Sequence, residues 1–125
     1  MDWRVQLFKL NYDEITMGQR TFDFENEYAT LLGEGAQCVA VANGTASLHI
    51  AVLAAGVKPG DEVITPCLTF IADLNAVTVS GGKVVLADVK SKDDWSMDPA
   101  DIERKITNKT KAIMIVHYAG YSCDM

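Results

Sequence analysis

Four short apolar runs, at residues 38–42, 63–65, 84–87 and 111–116, lack the apolar–polar alternation of a strand with one face in water. Such runs suit strands covered on both faces. The residues between them read as helices. Residues 46–55 are almost entirely good helix formers, and residues 70–80 are again mostly apolar and close on Gly81-Gly82. Asp98-Pro99-Ala100-Asp101 is a strong helix start, with an N-cap, a proline at the first helical position and an acid at the third. Ile102 and Ile106 mark the inner face of that helix. Gly56, Pro59-Gly60-Asp61 and Pro66 punctuate the elements. Strands alternating with helices predict an α/β fold: a mostly parallel sheet with helices on both faces.

The first part of the chain reads differently. Residues 2–20 show no clear period and two weak turn signals, Asn11 and Gly18. Thr21 is the expected N-cap of a first helix, with Asp23 and Glu25 favourable in its first turn. Phe24, Tyr28, Leu31 and Leu32 fall at i, i+4, i+7 and i+8 and form one apolar face, read as core packing. Gly33 and Gly35 stop the helix.

In a parallel sheet, ligands sit beyond the carboxyl ends of the strands. Those ends carry Asn43-Gly44-Thr45, Pro66-Cys67-Leu68-Thr69-Phe70, Asp88 and His117-Tyr118. The first group lies between a strand and a helix, where free N–H groups and the positive end of a helix dipole suit a phosphate. The same residues also make an N-capped tight turn, and the pattern alone leaves both readings open. No P-loop, dinucleotide fingerprint or nucleophile elbow is present. His49 falls inside a helix and reads as structural; His117, at a strand end, is better placed but also suits a hydrogen-bonded scaffold role.

Composition narrows the partners. A length of 125 residues is that of one domain with a modest core, and a net charge of −6 argues against nucleic acid or an anionic membrane surface. Three cysteines without zinc spacing suit reduced thiols and give no metal site. The start lacks a signal-peptide core and no apolar stretch approaches membrane-spanning length, so a cytoplasmic protein is expected.

Six segments in register carry a resemblance over nearly the whole chain. They are Thr16-Met17-Gly18-Gln19-Arg20-Thr21, Val41-Ala42-Asn43-Gly44-Thr45-Ala46-Ser47-Leu48-His49 and Val57-Lys58-Pro59-Gly60-Asp61-Glu62-Val63-Ile64-Thr65-Pro66. Leu68-Thr69-Phe70, Thr107-Asn108-Lys109-Thr110-Lys111-Ala112-Ile113 and Val116-His117-Tyr118-Ala119-Gly120 complete the set. Together they resemble the DegT/StrS-type sugar aminotransferases, which use pyridoxal 5′-phosphate (PLP). The resemblance implies the N-terminal portion of an aspartate-aminotransferase-like large domain, the fold of PLP-dependent transferases. It assigns the cofactor phosphate to Gly44, Thr45 and Ala46, and lays Phe70 against the pyridine ring, a flat surface that an aromatic face suits. Asn43, His117 and Tyr118 would line the rim. The implied substrates are a nucleotide-linked keto sugar and glutamate or glutamine as amino donor, in a homodimer.

The resemblance also implies what lies elsewhere. The family's Schiff-base lysine and the acid that pairs with the pyridine nitrogen fall beyond Met125, so the chain by itself is expected to be inactive. A helix that the family carries between Leu10-Asn11-Tyr12-Asp13-Glu14 and Thr16 looks deleted. Strands 63–65, 84–87 and 112–116 would form a contiguous trio, whereas 38–42 would lack its neighbours and lie exposed. A same-family dehydratase, with histidine in place of the lysine, and a non-catalytic remnant or phosphate-binding α/β module remain as alternatives.

Overall fold

The computed structural model describes residues 18–125, in two units that divide between Val41 and Ala42. The segment Thr16-Met17 and the expected helix deletion lie outside the described residues.

In the first unit, helix α1 (Gln19–Leu32) starts two residues before the expected N-cap. Gly18, in an extended conformation, is the N-cap and offers no side chain, and the Thr21 N–H already bonds to the Gly18 carbonyl at 2.9 Å. Thr21 is therefore inside the helix, and no acid falls in its first turn. Gly33 (φ 109°) ends it, a left-handed conformation that glycine adopts without strain. The apolar face exists, with Phe24 and Tyr28 stacked at 5.9 Å between ring centroids, but no residue of α1 is buried. The expected core packing fails because no described element of this unit covers that face. Residues 38–42 form no strand, since a ladder needs a neighbour, and Val39 is left 76% exposed. That outcome matches the unpaired run implied by the missing neighbours.

The second unit contains α2 (Gly44–Ala54), β1 (Glu62–Pro66), α3 (Ile71–Val79), β2 (Lys83–Ala87), α4 (Pro99–Lys105), β3 (Thr110–Ile113) and a 3₁₀ turn (Tyr118–Gly120). The strands form one parallel sheet in the order β2-β1-β3, the expected trio, with Ile64 opposite Val85 on one side and Ile113 on the other. Every residue of β1 is buried, including Glu62 and Thr65, as expected of a central strand covered on both faces. Successive side chains of β1 serve opposite layers. Val63 packs with Val52 of α2, Val57, and Ala76 and Val77 of α3. Ile64 packs with Ala87 and Met97, and Ile102 of α4 closes over them. Each such aliphatic side chain, fully buried, contributes roughly 1.5–3 kcal/mol.

Two expectations are corrected. Ile106 is not on the inner face of α4; it is the C-cap and 53% exposed, because the helix ends one residue earlier. Strand β3 stops at Ile113 instead of reaching 116. The Met114 N–H still bonds to the Ile64 carbonyl at 2.8 Å, but the next ladder bond would need the N–H of Pro66, which has none. One glycine is indispensable to the packing: a Cβ on Gly82 would lie 2.7 Å from Val57 Cγ1 and 3.1 Å from Val77 Cγ1. No helix among the described residues is long and apolar enough to cross a membrane.

Helix α4 carries a polar anchor. Asp98 caps it by accepting the Ala100 N–H at 3.0 Å. Asp101, only 6% exposed, accepts from Lys105 Nζ at 2.6 Å, the Asp88 N–H at 2.7 Å and Arg104 at 3.0 Å. Lys105 above all, then the Asp88 N–H, lowers its carboxyl from the ordinary 3.8 to about 2. A carboxyl with a depressed folded pKa contributes its full stabilisation above the unfolded value and loses it as pH falls through the folded one. Melting temperature is therefore expected to drop between pH 3.8 and about 2, and Asp101→Asn should flatten that part of the profile. An equally steep acid limb in the variant would remove Asp101 from the account.

Candidate functional site

Helices α2 and α3 both pack on the face of β1 that Val63 presents. Helix α3 leaves the carboxyl end of β1 and returns the chain to the start of β2, while α2 delivers it to the start of β1. Both helices thus run opposite to the strands, and both N-termini lie on the carboxyl side of the sheet.

At the start of α2, Asn43 is extended (φ −167°, ψ 169°) and its Oδ1 accepts the Ala46 N–H at 2.9 Å. The Ser47 N–H bonds to the Asn43 carbonyl at 3.2 Å. The N-cap reading of this turn is therefore realised. Asn43 is an N-cap, and it engages Ala46. The N–H groups of Gly44 and Thr45 and the Thr45 hydroxyl have no partner among the described residues. The turn is exposed, and no atom of the described residues lies within 4 Å of where a Cβ on Gly44 would stand. An anion has open access to two N–H donors and a hydroxyl at the positive end of an 11-residue helix.

At the start of α3, Phe70 is the N-cap and is 69% exposed, so it lies outside the core of the described residues. The loop that carries it is anchored upstream, where the Cys67 N–H bonds to the Ala87 carbonyl at 2.8 Å and its thiol donates to Asp88 Oδ1 at 3.4 Å. Desolvation of the sulfur, then the Asp88 carboxylate, raises the Cys67 pKa and keeps it a protonated donor. Downstream, the Thr69 hydroxyl donates to the carboxylate of Asp73, which is 5% exposed. Neither Asp73 nor this pairing is singled out by the strand-end pattern, although a hydroxyl and an acid four residues apart at a helix start are visible in the sequence.

His117 Nδ1 accepts the Cys123 N–H at 3.0 Å, a bond that closes the turn after β3. Tyr118 meets Trp95 edge-on, 6.1 Å between centroids, and so joins the loops that follow β2 and β3. Beside them a cleft of ≈ 190 Å³ is lined by Lys92, Asp93, Asp94, Trp95 and Tyr121, none of which the sequence reading selected. Lys90 holds its flank, 3.7 Å from both Asp94 and Asp124.

Known proteins share this chain's pattern. The model of the DegT/DnrJ/EryC1/StrS aminotransferase family matches residues 8–125. A GDP-perosamine synthase of Escherichia coli O157:H7 is 48% identical over 102 residues, covering 82% of this chain and 28% of that protein. A GDP-perosamine synthase of Caulobacter vibrioides is 44% identical over 110 residues, covering 88% and 29%. Among solved structures, Spr1654 of Streptococcus pneumoniae, described as a sugar aminotransferase and captured in a PLP form, superimposes with a TM-score of 0.83. It is 32% identical, over 96% of this chain and 30% of that one. The chain spans less than a third of the length of these relatives.

Proposed function

The chain belongs to the DegT/DnrJ/EryC1/StrS aminotransferase family, and on that premise we propose that it is the N-terminal part of the PLP-binding large domain of a sugar aminotransferase. Its substrates are a nucleotide-linked keto sugar and glutamate or glutamine; the enzyme is cytoplasmic and homodimeric. The 48% identity to a GDP-perosamine synthase supports the nucleotide-sugar class.

The observation that carries this reading is the start of α2, where Gly44 and Thr45 present N–H groups without partners among the described residues, beside a hydroxyl. Those groups fit a phosphate monoester, and the exposed ring of Phe70 on the same side of the sheet fits a flat heteroaromatic ring. The cofactor, when bound, supplies the electron sink for transamination. The residues of this chain bind and orient it. Gly44 and Thr45 hold the phosphate, and Ala46 contributes through the N–H it shares with Asn43. Phe70 covers one face of the ring. His117 and Tyr118 shape the rim without contributing a proton-transfer step, His117 being held by Cys123.

Thr45→Val tests the phosphate assignment in the complete enzyme, because it deletes a donor and keeps the shape. A hydrogen bond to a charged group is worth roughly 1.5–3 kcal/mol, so affinity for PLP should fall about tenfold or more. Unchanged affinity would reduce Thr45 to a helix-start residue.

A further inference from the structure

Helix α3 begins against the usual chemistry of helix starts. Ser, Thr, Asp and Asn are favoured at the N-cap because their side chains accept a free N–H. Here the N-cap is Phe70, and no side-chain cap is made. A departure from a local rule of this kind gathers at functional sites. The hydroxyl that could have capped the helix sits one residue earlier, on Thr69, and is used differently. It donates to the carboxylate of Asp73, the third residue of α3.

That carboxylate is an expensive group to bury. Asp73 is 5% exposed, makes no ion pair among the described residues, and the Thr69 hydroxyl is its side-chain partner there. A buried carboxyl group needs hydrogen-bond partners, and the Thr69 hydroxyl supplies one. What the pair does achieve is geometric. It joins the residue before Phe70 to the first turn after it, while the Asp73 N–H bonds to the Phe70 carbonyl at 3.1 Å. With the Cys67 N–H on the Ala87 carbonyl, the loop is fixed on both sides of a ring that is itself 69% exposed. Among the described residues little packs around the ring, and the hydrogen bonds fix the backbone beneath it.

We propose that Thr69 and Asp73 are positioning residues: their hydrogen bond spans Phe70 and sets its aromatic face before the cofactor arrives. Preorganisation of this kind adds affinity by removing the ordering cost from the binding step. The inference rests on the PLP reading given above.

The test uses the complete enzyme loaded with PLP and reads the visible band of the bound cofactor together with its Kd. Thr69→Val removes the donor at constant shape, and is expected to weaken PLP binding about tenfold and shift the band. Thr69→Ser keeps the hydroxyl and should retain both wild-type values. Because Thr69→Val also strands a buried carboxylate, the double variant Thr69→Val/Asp73→Leu removes both partners. It should recover the melting temperature but not the band or the affinity. Recovery of all three would show that the pair serves the fold alone and overturn the proposal, as would wild-type binding in Thr69→Val. A wild-type enzyme that shows no cofactor band would overturn the PLP reading itself, and this inference with it.

Discussion

Mixed with PLP, the 125-residue chain by itself is expected to develop no specific cofactor band and to catalyse no transamination. On the proposed assignment, the lysine that anchors the cofactor and the acid opposite the pyridine nitrogen would come from other residues. Three of the described lysines are already engaged by carboxylates. Lys83 is paired with Glu62 at 2.9 Å and Lys105 with Asp101 at 2.6 Å, while Lys90 lies between Asp94 and Asp124. The phosphate turn at Gly44 and Thr45 offers only part of the binding energy of a complete site. Borohydride reduction followed by peptide mapping checks the outcome. A stoichiometric adduct on one lysine, with activity, would refute it.

Ile64→Ala should be the most damaging single truncation in the sheet. Ile64 is 0% exposed, sits in the middle of the central strand and contacts Ala87 and Met97 beneath α4. Truncation removes the transfer energy of the lost methyl groups and leaves a cavity, at about 2–5 kcal/mol for buried Ile or Leu to Ala. Val79→Ala is the matched control, since Val79 is 70% exposed at the end of α3. A surface change away from special features stays within about 0.5 kcal/mol. Urea midpoints of the two variants should therefore separate clearly. Equal midpoints would mean that the β1–α4 layer carries little of the stability.

What could be read from the sequence is what local chemistry decides. Unbroken apolar residues marked β1, Asp98-Pro99 marked the start of α4, and Gly56 and Gly81 marked helix ends with positive φ of 75° and 84°. What required the structure depends on partners distant in the chain. The stripe of Phe24, Tyr28, Leu31 and Leu32 has a helical period whether or not another surface covers it, so period alone could not predict its exposure. Residues 38–42 have the composition of a strand but no neighbour to pair with. The end of β3 was set by a proline in β1, and Thr21 lost its capping role to the extended backbone of Gly18. At the candidate site, Phe70 was legible as a residue beyond a strand end, and the Asn43, Gly44 and Thr45 turn as a helix start. The Thr69–Asp73 pair was less so, because burial is what gives that carboxylate its meaning.

Because the middle strand of the sheet is also the first of the three to leave the ribosome, the order β2-β1-β3 lets the sheet grow outward in the direction of synthesis. Glu62 is opposite Lys83 on one side and Thr110 on the other, so the nearer neighbour in the chain emerges first. The unit β1–α3–β2 can then close over Val63, Ala76 and Val77 while β3 is still being made. Translation at roughly 5–20 residues per second leaves more than a second between the two pairings, far longer than a loop of this size needs to close. The third described strand then arrives on a template already built.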